Sequence, residues 1–131
     1  MAEICTVLVV EPSDLFREFL DVIVDHVGYD VVTVDMTEAA QRHLEQQHFD
    51  IVILASFGGG QRIDPLQLAQ RAATAGAQVL IVLDDASHRR IFLKGGYAML
   101  AKLFMPRALI AELERLRSSG AIACEPRRPQ A

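Results

Sequence analysis

Apolar and β-branched residues in this chain gather in five short runs, and the stretches between them are amphipathic. The runs are Thr6–Val10, Val31–Val34, Ile51–Leu54 with Ala55, Val79–Leu83, and Ala98–Ala101. None shows the two-residue alternation of a strand with one wet face. Unbroken apolar runs of this length suit strands covered on both sides, as in a parallel sheet between two helical layers.

The intervening stretches carry helix signals. Ser13 precedes a pattern in which Phe16, Phe19, Leu20, Ile23 and Val27 recur at three- and four-residue steps, and Gly28 follows it. This predicts a helix over 14–27 with a serine N-cap and a left-handed glycine stop. Asp35 and Glu38 suggest a capping box for a second helix reaching about Gln47. Asp64-Pro65 starts a third, which Gly76 ends. Ser87 caps a short fourth through Leu93 or Lys94, stopped by Gly95-Gly96, and Pro106 opens a fifth to Arg117 with Leu109, Leu113 and Leu116 inward. Five strands alternating with five helices, joined by right-handed crossovers, give a (βα)5 doubly wound three-layer sandwich over residues 1–117. The remainder, 118–131, has three chain breakers and little periodicity and reads as a mobile tail.

Composition narrows the function classes. The 131 residues are 51% hydrophobic, enough for one domain with a real core. A net charge of −4 and the lack of a basic cluster within the folded part argue against nucleic-acid binding. The apolar start "MAEICTVLVV" is too short to span a bilayer and lacks the positive flank of a signal peptide. Cys5 and Cys124 follow no metal-ligand spacing, so reduced thiols and a cytoplasmic location are expected. His43 and His48 are five residues apart, which does not put them on one helix face as a metal pair. The loop Gly58–Gly60 lacks the lysine and hydroxyl of a P-loop and reads as flexible.

The central strand "FDIVILASFGGG" ends at the carboxyl edge of the sheet, where open α/β folds do their chemistry. The residues there are Ala55, Ser56 and Phe57, with no strong acid, base or nucleophile. Ser56, next to Ala55 in an extended strand, should point to the opposite face and has no evident base.

Three stretches carry a resemblance that covers about Thr6 to Leu116. "VLVVEPSDLFREFL", "TEAAQRHLEQQHFDIVILA" and "MLAKLFMPRALIAEL" resemble, in order, the first strand and helix, the second helix through the third strand, and the last strand and helix of CheY-like response-regulator receiver domains. The resemblance implies the flavodoxin/CheY-like fold with a parallel five-stranded sheet. It also implies a non-enzymatic signalling role. Receivers take a phosphoryl group onto an aspartate after strand three. Magnesium is held by that aspartate and by an acidic pair after strand one, with a hydroxyl after strand four and a lysine after strand five completing the site.

Carried over by position, the acceptor is Ala55, the acidic pair is Glu11 and Pro12, and the hydroxyl position is Asp84. Lys102 is retained, Leu103 replaces the proline usual after it, and Met99 stands where a switching aromatic often sits. A methyl group cannot form an acyl phosphate, one carboxylate is a poor magnesium shell, and Asp84 would repel an incoming phosphoryl. A pseudo-receiver without catalytic residues, cofactor or metal is therefore expected. Lys102 should pair with Asp84, or else with Glu11, and a trans peptide is expected before Leu103.

Asp84 and Lys102 are eighteen positions apart, shorter than typical receivers by about one helical turn. The partner face is expected on the fourth helix, fifth strand and fifth helix, with His88, Arg89, Arg90, Met99 and Arg107. The implied partners are a histidine kinase or a signalling or scaffold protein, with a homodimer left open. Two alternatives remain: phosphorylation at a non-standard residue, or a small-ligand or metal sensor using Glu11, Asp84 and Asp85.

Overall fold

The computed structural model describes residues 3–56, 62–84, 88–102, 104–119 and 124–127. In chain order the strands are β1 (Glu3–Ile4), β2 (Thr6–Val10), β3 (Asp30–Val34), β4 (Ile51–Ser56), β5 (Gln78–Leu83), β6 (Ala98–Ala101) and β7 (Cys124–Glu125). The helices are α1 (Asp14–Val27), α2 (Thr37–Gln46), α3 (Pro65–Thr74), α4 (Arg89–Lys94) and α5 (Pro106–Ser119). Strands β3-β2-β4-β5-β6 form a parallel five-stranded sheet in that order. This is the expected flavodoxin/CheY-like sandwich, and its strand order reverses between β2 and β4.

The unbroken apolar runs have a direct cause. Val7, Val9, Ile51, Ile53, Leu80 and Val82 pack with Leu20, Val24, Leu109 and Leu113, under α1 and α5. Their neighbours Leu8, Val10, Val52, Leu54, Val79 and Ile81 pack with Ala40, Leu68, Ala72 and Phe92, under α2, α3 and α4. Successive side chains serve opposite cores, so the buried positions of β2, β4 and β5 are apolar on both faces.

Most helix ends follow the local signals. Ser13 Oγ accepts from the Phe16 amide at 3.4 Å, and Asp64 Oδ2 accepts from the Leu66 amide at 3.1 Å. The capping box at Asp35 and Glu38 does not form. The residue at the α2 N-cap is Met36, without a side-chain cap bond, and its carbonyl accepts the first helical amide, from Ala40. Asp35 stands one residue too early to cap. Helix α4 starts at Arg89 behind His88, which makes no cap bond; Ser87 lies outside the described residues.

The largest departures are at the chain end. Helix α5 runs to Ser119, and part of the expected tail is tied down. Strand β7 pairs in parallel with β1, the Cys5 amide donates to the Glu125 carbonyl at 3.0 Å, and Cys5 and Cys124 form a disulfide, so the expected reduced thiols are not found. The sequence separation of 119 conceals that the start of β2 and the segment after α5 meet at the same end of the sheet. Gly28, the α1 C-cap with φ 105°, belongs to this closure as well. A Cβ there would stand 2.9 Å from the Arg127 backbone, and the Arg127 amide donates to the Gly28 carbonyl at 2.7 Å. Glycine is required both for the left-handed turn and for the close approach.

Candidate functional site

At the carboxyl edge of the sheet, Val10 pairs with Leu54 and Ala55 with Val82, while the Lys102 amide donates to the Leu83 carbonyl at 2.9 Å. This register brings the ends of β2, β4, β5 and β6 to one level. Glu11, Ala55, Asp84 and Lys102 are therefore delivered to one edge of the sheet from four separate strands.

Lys102 is the centre of the group. Its Nζ lies 2.8 Å from Asp84 Oδ1 and 2.9 Å from Glu11 Oε1. Both carboxylates named for it in the sequence are used, rather than one. Glu11 is fully buried, its Oε1 has no donor but this ammonium, and its Oε2 accepts from the Ser13 amide at 3.0 Å. Asp84 is on the open side, with its side chain 46% exposed. The Lys102 side chain is 19% exposed, and its ammonium also stands 4.7 Å from the centre of the Phe16 ring. Burial opposes the charged lysine. The hydrogen bonds to Asp84 and Glu11, with their charges, outweigh it and hold the Lys102 pKa above the ordinary lysine value.

The residues of α1 complete this arrangement and were not singled out in the sequence. Arg17 donates from Nη1 to the Glu11 carbonyl at 2.9 Å and pairs through Nη2 with Asp14. Its three-residue spacing from Asp14 was a usable signal for the pair, but nothing local marks its reach to Glu11. Phe16 joins Phe19 and Phe104 in an aromatic cluster that lines an apolar groove of about 780 Å³ with Leu15, Val22 and Ile23.

Other expected positions divide as follows. Pro12 is exposed and Ala55 is buried. Met99 is half-buried on β6 against the second core, so its side chain packs there in place of a switching ring. Ser56 ends β4, and its side chain, like Leu103, Phe57, Gly58–Gly60 and Asp85, lies outside the described residues. Arg89, Arg90 and Arg107 are exposed and, among the described residues, make no ion pair, whereas His88 is half-buried.

The group does not fit magnesium. A magnesium ion needs hard oxygens in octahedral array with several waters. Here one carboxylate is fully buried, both are engaged by an ammonium, and a methyl and a proline ring stand at the other two family positions.

No family model matches the chain, and no curated protein matches it by sequence. Solved structures do match. A response regulator receiver protein from Sinorhizobium medicae aligns with a TM-score of 0.78 at 19% identity, over 87% of this chain and 94% of the other. A CheY-like receiver domain protein from Methanospirillum hungatei aligns at 0.76 and 16%, over 90% and 100%. The response regulator TrrA from Thermotoga maritima, solved with magnesium and BeF, aligns at 0.75 and 22%, over 86% and 99%. The chain has the receiver fold. The fold places Lys102, Glu11 and Asp84 at the carboxyl edge, where the sequence resemblance located the phosphorylation pocket, with Ala55 on the middle strand between them. No helix among the described residues is long and apolar enough to cross a membrane.

Proposed function

We propose that this chain is an atypical receiver of the two-component signalling type, acting as a phosphorylation-independent protein-binding module and not as an enzyme. The observation that carries the reading is the Lys102 ammonium held between Asp84 and Glu11 at the strand edge where Ala55 presents a methyl. In the receiver cycle the lysine is free to engage a phosphoryl group. Here two carboxylates hold it, and no carboxylate stands at the acceptor position. A fixed pocket gives one conformation and therefore a constant surface for a partner.

The partner is a kinase, signalling or scaffold protein, met at the face of α4, β6 and α5. Support comes from the exposed Arg89 and Arg90 on α4, together with the exposed apolar side chains of Ile91 and Leu93 on the same short helix. Arg107 opens α5. Cations beside apolar side chains suit an acidic, partly apolar partner surface.

Incubation with acetyl phosphate and magnesium, followed by intact mass, tests the reading: no phosphoryl adduct should form. A stable adduct would overturn it in favour of a non-standard acceptor. In partner capture, Arg89→Glu with Arg90→Glu should abolish binding without changing the melting temperature; undiminished binding would move the interface elsewhere.

A further inference from the structure

A second group of reactive side chains lies at the amino edge of the sheet, away from Lys102. Cys5 Sγ, Cys124 Sγ and a carboxylate oxygen of Asp50 all fall within 4.8 Å of one another. Asp50 is fixed there: its Oδ2 accepts from the Thr6 amide at 2.9 Å, and its Oδ1 is 3.3 Å from His48 Nε2. Both cysteines are buried, and they are joined to each other.

We propose that the opened disulfide becomes a binding site for a thiophilic divalent cation of the zinc class, with Cys5, Cys124 and Asp50 as ligands and the fourth position open to water. Two sulfurs with a carboxylate form a donor set suited to zinc and unsuited to magnesium or calcium. Ligands about 2.3 Å from one tetrahedral ion are roughly 3.8 Å apart, so the two sulfurs, once their bond is opened, must part to that spacing, while the Asp50 oxygen, within 4.8 Å of both, needs only a small shift. The Thr6 amide plays the orienting part that outer-shell hydrogen bonds play in metal sites. Reduction leaves two buried thiols beside a carboxylate, three donor atoms that a divalent cation can gather.

The steps balance. A dithiol reductant transfers two electrons and two protons to the Cys5–Cys124 bond and becomes a disulfide itself. The cation then displaces the two thiol protons to solvent. Residue 124 is thus held at residue 5 in two alternative ways, by the sulfur–sulfur bond or through the ion. Only the reduced, metal-free chain would leave β7 on its two-residue pairing and on the exposed Arg127 ion pairs to Asp25 and Asp30.

The experiment is cobalt titration of the full chain, reduced and handled without oxygen, with zinc as competitor. The reduced protein should bind one cobalt ion with a thiolate charge-transfer band and tetrahedral visible absorption, displaced by zinc. The oxidised protein and Cys124→Ser should show neither. Asp50→Asn keeps an acceptor for the Thr6 amide and keeps the disulfide, so it should fold and yet bind at least about tenfold more weakly. Hydrogen exchange at 124–127 should be slow in the oxidised and zinc-loaded forms and fast in the reduced apo form. Absence of the charge-transfer band in the reduced chain, or unchanged affinity in Asp50→Asn, would overturn the proposal.

Discussion

Replacing Lys102 by methionine removes the charge on which Glu11 depends while keeping the length and apolar bulk of the side chain. Glu11 is fully buried, and its Oε1 would lose its one partner, leaving only the Ser13 amide on Oε2. Removing one member of a buried ion pair generally costs about 3–5 kcal/mol, because the remaining charge is stranded. Two features reduce that figure here: the lysine is 19% exposed, and the Ser13 bond survives. The expected loss is about 2–3 kcal/mol, with a fall in melting temperature of about 3–5 °C for each kcal/mol in a domain of this size. Urea melts at neutral pH with an unchanged slope would measure it. The double variant Lys102→Met with Glu11→Gln should recover much of the loss, since an amide strands no charge. Asp84→Ala should cost about 1 kcal/mol or less, because that carboxylate is half in water. If Lys102→Met stays within about 0.5 kcal/mol of the parent, or the double variant is worse than the sum of its parts, the ammonium is not what holds this pocket.

Further outcomes follow from the same structure. Reduction of the Cys5–Cys124 disulfide in metal-free buffer should lower stability by about 2–5 kcal/mol in urea, as a long closed loop predicts; equal midpoints with and without reductant would refute that. Gly28→Ala should cost more than about 1 kcal/mol, through both its positive φ and its approach to Arg127, and should speed hydrogen exchange at 124–127. Stability should fall in alkali from two sources. The Lys102 pKa is raised, burial being overcome by Asp84 and Glu11, and the Tyr29 pKa is raised by burial and by the charge of Glu114. Both groups hold protons more tightly when folded. Their contribution is complete below the ordinary lysine and tyrosine values and is lost as pH climbs through the folded ones. Lys102→Met should flatten the alkaline limb of a pH–stability curve; an unchanged limb would remove Lys102 as a source.

The strands, the α1 caps and the parallel sheet were legible in the sequence because their causes are local or periodic. An apolar run buried on both faces cannot alternate, so "TVLVV" and "IVILA" declare a covered sheet by themselves. Ser13 and Gly28 act within a few residues of where they stand. The Lys102–Asp84 contact was readable for a related reason, since both residues follow adjacent parallel strands whose ends are level. What only the tertiary structure decided depends on contacts across long stretches of chain. Arg17 and Phe16 reach the pocket because α1 packs beside the end of β2, and no spacing in the sequence encodes that reach. Cys5 and Cys124 look unrelated along the chain until four crossovers and α5 bring its end back to the start of β2. A periodic pattern records which side of an element is buried, but it does not record which distant residue arrives to bury it.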